Sequence, residues 1–384
     1  MEGDNVIDAQ TVQKYNQFQT PCFIVERGRL LKNCETLDTV KKRTGAKILL
    51  ALKGFAMYSV FDDIGDYLDG VCASSPHEAR LGREEFKKEV HAFAAAYSQK
   101  DYNDICQFAN HIVFNSIDQY KRFELKDTID YGLRINPRHS EIDVAIYDPC
   151  APFSRLGIIS DNLPDRLPEG ITGLHMHTLC EKNSDAFSRT LMAAEEQFSE
   201  QFKQCSWINF GGGHHITRQD YDIDLLCDTL NEFKTRYKAE LYLEPGEAVA
   251  LNTGFLTATV LDVVDNGMKI AIVDTSAAAH MPDVLEMPYR PYIIGSGKPH
   301  EKAHSYRLGG LSCLAGDIIG DYSFDKPLAV GDKLIFTDMA HYSMVKTNTF
   351  NGLTLPDIIY YDEANDKILH HKTFGYENFK NRLS

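Results

Sequence analysis

The chain has 384 residues, with 40 Lys and Arg against 55 Asp and Glu, and a formal net charge of −15 at pH 7. That balance is the reverse of the basic patch a nucleic-acid binder presents, and 43% hydrophobic with 25% charged residues is a globular composition, not a disordered one. No run approaches the ~18–20 consecutive apolar residues of a membrane span. The acidic start Met-Glu-Gly-Asp-Asn lacks the basic and apolar regions of a signal peptide. The nine cysteines are scattered and form no Cys-x-x-Cys pair, so the expectation is reduced thiols in a cytoplasmic protein, with neither a disulfide framework nor a metal site.

Taken in chain order, short apolar runs recur at Ala46–Leu52, Gly70–Ala73, Glu89–Ala94, His111–Phe114, Asp130–Ile135, Ile171–Met176, Trp207–Phe210 and Glu240–Leu243. Between most of them lie amphipathic stretches with helical spacing, including Arg29–Lys42, His77–Lys87, Ser184–Lys203 and Tyr221–Lys238. Alternating strand and helix implies a parallel sheet. About eight units over roughly 200 residues match a (β/α)8 TIM-type barrel, with a doubly wound sheet as the alternative. Beyond Gly246 the pattern changes. Leu256–Val264, Asp265-Asn266-Gly267 and Lys269–Asp274 read as a hairpin, with Asn-Gly suited to a type I′ turn. Asp357–Tyr361 and Lys367–His371 read as a second hairpin, and Gly331-Asp332 as a turn before the strand-like Lys333–Thr337. The expected division is a barrel over residues 27–246 and an all-β C-terminal domain over 247–384, joined by residues 1–26.

In such a barrel, chemistry sits at the C-terminal ends of the strands. Those positions hold Lys53, Ser74 and Ser75, Asn115, Arg134, His175 and His177, Gly211–Gly213, and Glu244. Lys53 either caps a strand or, if burial lowers its pKa, supplies a free amine for a carbonyl. The three glycines are a strand-to-helix turn or an anion nest backed by the next helix's N-terminus. His175 and His177 share a strand face; without a third ligand of supporting spacing, stacking or proton transfer fits them better than zinc. Glu244 belongs to a turn, or holds a protonated ring nitrogen.

These segments resemble the fold-type III pyridoxal-phosphate enzymes, the alanine racemase and ornithine/diaminopimelate decarboxylase superfamily. The resemblance runs from Thr20-Pro21-Cys22-Phe23-Ile24-Val25 to the C-terminus. Within the superfamily the sequence is most similar to the carboxynorspermidine (carboxyspermidine) decarboxylase family, on Ala51-Leu52-Lys53-Gly54-Phe55-Ala56, His175–Glu181, Asn209–His215, Glu244–Ala248 and Leu311–Asp317. It implies pyridoxal 5′-phosphate attached to Lys53, a His177 stacked on its ring, Glu244 on the ring nitrogen, and phosphate contacts from Gly211, Gly212, Gly213 and Tyr342. Arg134 would lie near the cofactor. The resemblance further implies a homodimer with shared active sites, with Cys313 and Asp317 entering the partner's site and Cys313 or Lys53 protonating Cα; read alone, Cys313 is equally a small buried thiol. Two positions depart from many relatives: Glu247 stands where an arginine is common, and Cys180 where a serine is. Both argue against a diaminopimelate decarboxylase, which needs a cation for the distal carboxylate.

The substrate so implied is a small cationic polyamine precursor. Its amines call for carboxylates, and Glu181, Glu247, Asp283 and Glu286 are candidates, each otherwise a solvated surface charge. A close carboxylate–ammonium pair is worth roughly 1 kcal/mol in water and ~4 at an intermediate dielectric. The remaining readings are another fold III decarboxylase acting on ornithine, lysine, arginine or diaminopimelate, a racemase, a cofactor carrier, and a non-catalytic antizyme-inhibitor-like regulator.

Overall fold

The structure is a computed structural model that describes residues 9–384. The chain divides into two compact units: residues 31–249, and residues up to Leu30 together with 250–384.

The first strand, β1 (Cys22–Glu26), belongs to the second of these units. The barrel then follows with β2 (Lys47–Ala51), β3 (Gly70–Ala73), β4 (Glu89–Phe93), β5 (His111–Phe114), β6 (Asp130–Arg134), β7 (Ile171–His175), β8 (Trp207–Asn209) and β9 (Glu240–Leu243). All eight pair in parallel, and β9 closes on β2 through Lys47↔Tyr242 and Ile48↔Leu243. The barrel is therefore the observed architecture, not the doubly wound sheet. Its strands were readable because strands buried on both faces appear as continuous apolar runs. Helices Arg27–Thr44, Ser184–Phe202 and Ile223–Tyr237 match three of the expected amphipathic stretches; the fourth is a short helix, Pro76–Leu81, continued by a wider-wound turn, Gly82–Phe86. The serines after β3 are spent on that helix: Ser75 accepts from the Glu78 N–H, and Glu78 accepts from the Ser74 N–H. Asn115, after β5, likewise braces a loop, donating to the Arg155 carbonyl and accepting from the Gly157 N–H.

Inside the barrel, Leu49, Val113, Trp207 and Tyr242 form a packed layer with Phe93 against it. Trp207 fits because its neighbours on β6 and β7 are glycines. A Cβ at Gly173 would lie 2.1 Å from the indole, and one at Gly132 2.5 Å.

The second unit is an eight-stranded sheet completed by β10 (Gly254–Asp265), β11 (Lys269–Val273), β12 (His304–Gly309), β13 (Ile318–Phe324), β14 (Lys333–Thr337), β15 (Asp357–Asp362) and β16 (Lys367–Lys372). The order is β13-β12-β11-β10-β1-β15-β16, with β14 also on β10. β1 sits between β10, antiparallel, and β15, parallel. Its alternation serves two cores: Phe23 joins Leu256, Ala258 and Val260 on one face, while Cys22 and Ile24 join Phe255, Ile335 and Ile359 on the other. Short helices at Ala277–His280, Asp283–Glu286, Ser343–Lys346 and Tyr376–Lys380 interrupt the expected all-β character. Both hairpins form, but the type I′ turn does not. Asp265 pairs with Lys269, leaving a three-residue loop in which only Gly267 takes positive φ, 80°; a type I′ turn needs it at both central residues.

Replacing Gly173 with Ala should destabilise the barrel by about 1–3 kcal/mol through overpacking. Chemical denaturation of the two proteins measures this, and an unchanged midpoint would contradict the packing described.

Candidate active site

At the C-terminal ends of the barrel strands, the centre of the arrangement is the Glu244 carboxylate, just past β9. Asn209, the last residue of β8 and fully buried, donates from Nδ2 to Glu244 Oε1 at 2.7 Å. His175, the last residue of β7, places Nε2 3.3 Å from Oε2. Burial pushes the Glu244 carboxyl up, but His175, the more distant His91 and lastly Asn209 together outweigh it and hold it at about 2. Burial pulls the His175 imidazole down, so the pair at neutral pH is a carboxylate receiving an N–H from a neutral ring.

The glycine loop is built around the same residues. Asn209 Oδ1 accepts from the Gly211 N–H (2.8 Å), and Glu244 donates its own N–H to the Gly211 carbonyl (2.7 Å). The Gly212 N–H donates to His177 Nδ1 at 2.9 Å. Burial, then the Lys53 and Arg134 charges, push the His177 pKa well down. A neutral ring accepting at Nδ1 carries its proton on Nε2. Side chains are excluded here: a Cβ at Gly212 would meet the Glu244 carbonyl at 2.3 Å, and one at Gly213 the Leu179 carbonyl at 1.9 Å, with Gly213 at φ 83°.

Two features of the expected anion nest are corrected. The N–H groups of Gly211 and Gly212 are already bonded, so of the three only Gly213 keeps an N–H with no partner among the described residues. No helix begins behind the glycines; the next one starts at Ile223, capped by Asp222. The zinc reading of His175 and His177 gains no support, since Nε2 of His175 faces Glu244 and Nδ1 of His177 accepts from the Gly212 N–H.

Arg134, 4% exposed, donates to the His177 carbonyl at 2.9 Å and lies over the Phe93 ring at 4.6 Å. Burial lowers its pKa to about 10. It thus shapes the β7 end from beneath. Lys53 is exposed, so the burial that one of its two readings called for is not seen; it lies beyond the end of β2 at the open mouth. Its charge is felt at Cys72, Glu78, His177 and Cys180.

Cys180 lies between two expected substrate carboxylates. Its thiol is pushed up to about 12 by burial, then by Glu181 and Glu247. Glu181 is exposed and holds φ at 54°, a strained value of the kind that collects at functional sites. Glu247 Oε2 lies 3.0 Å from Nε2 of the buried His215.

The other expected residues lie in the sheet unit. Asp283 and Glu286 are not free carboxylates: both accept from the Lys346 ammonium. Asp317 is buried and committed, accepting from Ser276 Oγ (2.8 Å) and the N–H groups of Ser312 (3.0 Å) and Ala278 (3.2 Å). It braces the loop carrying Cys313, which is exposed rather than buried, with its N–H held by Asn351 Oδ1 at 2.7 Å. Tyr342 has φ 53° and stands at the N-terminus of helix Ser343–Lys346.

Sequence reasoning missed Asn209, Phe93, His215 and Cys72. Asn209 carried a usable signal, as a polar residue ending an apolar run beside the glycines. Cys72 did not; its thiol lies beside Glu244 only because β3 closes next to β2.

The family description "pyridoxal-dependent decarboxylase, C-terminal sheet domain" matches residues 55–340. The chain belongs to that family. It is 40% identical over 380 residues to a carboxynorspermidine/carboxyspermidine decarboxylase of Campylobacter jejuni, covering 96% of this chain and 99% of the other. It is 45% identical over 375 residues to a carboxyaminopropylagmatine decarboxylase of Synechocystis, covering 96% and 97%. The solved structure of carboxynorspermidine decarboxylase with norspermidine from C. jejuni superposes with a TM-score of 0.89 at 39% identity, covering 95% of this chain and all of that one. The chain is a carboxy-lyase of fold type III. The residues fit the family's cofactor: an ionised buried carboxylate, a neutral ring-bearing side chain with its plane fixed, a side-chain-free loop with an unpartnered N–H, and an exposed lysine.

Asn209→Ala should cost about 1–3 kcal/mol, since it leaves the Gly211 N–H unbonded. It should also raise the Glu244 pKa from about 2 toward the ordinary range. A depressed carboxylate stabilises above its unfolded pKa and loses that contribution as pH falls through the folded value. The variant should therefore lose less stability than the parent between pH ~4.5 and ~2, as denaturant titrations at stepped pH would show.

Proposed function

We propose that the protein is a pyridoxal-phosphate-dependent decarboxylase of carboxynorspermidine and carboxyspermidine, acting in polyamine biosynthesis in the cytoplasm as a homodimer. What carries the reading is near-full-length similarity to a protein of that name, at 40% identity, joined to the Glu244–Asn209–His175 arrangement at the barrel mouth. The family identity and the retained Lys53 weigh against the carrier and regulator readings. Sequence identities of only 15% and 14% to solved lysine/ornithine and diaminopimelate decarboxylases give those activities no comparable support.

When bound, pyridoxal phosphate supplies an electron sink for the pair released as carbon dioxide leaves. Lys53 is the amine to which it would attach. Ionised Glu244 would hold a proton on a ring nitrogen by a charge-assisted hydrogen bond, and Asn209 and His175 keep its oxygens in place. His177, its plane set by Gly212, offers a flat neutral face for stacking. The Gly213 N–H is available to a phosphate oxygen, with Tyr342 as a second candidate donor. A proton must then reach Cα of the product. The exposed Cys313 thiol of a partner subunit and the Lys53 amine are the candidate donors, with Asp317 positioning the Cys313 loop. Glu181 and Glu247 are the carboxylates best disposed toward the substrate's amines; Asp283 and Glu286, shared with Lys346, would have to exchange that partner first.

A second reading has its own observation, the 45% identity to a carboxyaminopropylagmatine decarboxylase. A carbon dioxide release assay separates the two. We expect carboxynorspermidine and carboxyspermidine to exceed ornithine, lysine, arginine and diaminopimelate in kcat/KM by at least about tenfold. They should lie within ~1–3 kcal/mol of each other, since they differ by one methylene. Clear preference for carboxyaminopropylagmatine would install the second reading, and preference for diaminopimelate would remove both.

The purified protein should also carry a visible absorption band that borohydride abolishes and that Lys53→Ala lacks. Cys313→Ala should keep the band while turnover falls about 10²–10⁴-fold, the range of general acid–base contributions. Unchanged product formation would exclude Cys313 as the proton donor.

A further inference from the structure

The opposite, N-terminal end of the barrel holds a second polar cluster that the decarboxylase reaction does not use. Glu89 and His91 lie on β4 and His111 opens β5. One donor atom from each lies within 4.8 Å of the other two. His91 is 2% exposed and His111 7%. The rings stack with centroids 3.9 Å apart, and both pack against Tyr242 and Trp207.

What marks the cluster is its unmet bonding. Both nitrogens of His91, Nδ1 of His111 and Oε2 of Glu89 are buried without a hydrogen-bond partner. The two oxygens of Glu89 have separate fates. Oε1 is taken by the Lys47 ammonium at 2.5 Å, whereas Oε2 lies 3.5 Å from His91 Nε2 without forming a hydrogen bond. Nε2 of His111 lies 3.8 Å from Oδ2 of Asp130. Buried polar atoms left unsatisfied are costly, so this many in one place call for a partner.

Charge and space indicate what kind. The cluster borders a cavity of about 350 Å³ whose lining includes Glu89, Asp130 and Glu240, with Lys47 the only Lys or Arg among the lining residues. Lys47 bridges Glu89 and Glu240 and donates to the Tyr242 hydroxyl. The excess of carboxylate favours a cation, and two imidazoles with one carboxylate oxygen are the donors preferred by zinc-like divalent ions over magnesium or calcium.

We propose that Glu89, His91 and His111 form a binding site for a divalent transition-metal ion at the floor of the barrel, with Asp130 or a cavity water completing the shell. Metal–ligand bonds of ~2.0–2.2 Å put donor atoms roughly 3–3.5 Å apart, so binding draws the three side chains inward by about 1 Å. The ion ties β4 to β5 at the N-terminal end of the barrel and braces the fold, with His91 near enough for its charge to be felt at Glu244 and His175. The sequence alone gave no sign of it, because the ligands sit on two strands about 20 residues apart, without a recognisable ligand motif.

The test uses the cofactor-loaded protein, stripped with chelator and titrated with cobalt(II) and with zinc(II). The expected result is roughly one ion per chain, a cobalt spectrum of a nitrogen- and oxygen-ligated low-coordinate site, and a thermal midpoint that rises with metal concentration. His111→Asn and Glu89→Gln should each weaken binding by at least about 10–100-fold, while His371→Asn, at an exposed histidine of the sheet unit, should not. If one floor variant fails to fold, the other carries the comparison. Binding that is equal in the parent and the floor variants, or no binding above buffer, overturns the proposal.

Discussion

The rim of this barrel depends on one largely buried carboxylate, Glu244, staying ionised. Burial raises the Glu244 pKa, and His175 and Asn209 at the ends of β7 and β8, together with the charge of His91, reverse that outcome. The same two strands then have to be spaced closely enough for those donors to reach, which the glycine loop permits. A side chain at Gly212 would strike the Glu244 backbone itself. So the electrostatic state of Glu244 and the absence of Cβ atoms in the loop are one constraint seen from two sides. Asn209 links them by bonding the carboxylate with its amide nitrogen and the loop with its amide oxygen.

That arrangement explains why His177 is held so firmly. Its Nδ1 takes the Gly212 N–H and its carbonyl takes Arg134, so both the ring plane and the chain beneath it are fixed. Arg134 is buried over Phe93, a placement suited to a planar guanidinium that stacks while donating sideways. A lysine there would offer a point charge with no plane to stack. The ring that would face a cofactor is thereby oriented before anything binds, which is the economical way to build a site.

Much of this was legible in the sequence, for reasons particular to parallel barrels. Strands buried on both faces write themselves as apolar runs, and the residue following each run falls at the same rim. Lys53, Arg134, His175, Gly211–Gly213 and Glu244 were accessible that way. What was not legible depends on contacts between distant segments. Asp283 and Glu286 read as free acids until Lys346, some 60 residues on, is seen to bridge them. Asp317 read as a site group until its three donors were visible. The Asn-Gly pair misled because turn chemistry is local whereas register is not: pairing of Asp265 with Lys269 adds a residue to the loop. Lys53 misled in the same direction, since an apolar run before a residue says nothing about whether the residue itself is covered.

Net charge raises a last question, whether −15 helps a cationic substrate. Surface fields are screened beyond ~8 Å at physiological salt, so the total steers encounters and cannot choose between polyamine precursors. Selection has to come from carboxylates near the mouth that are partly desolvated, because a pair's strength rises several-fold as the effective dielectric falls. Glu247 is half-buried, with His215 on one flank; Glu181 is exposed and strained, so any substrate contact it makes has less desolvation behind it. Of the two, Glu247 is therefore the one whose pairing with a cationic arm would gain more from desolvation.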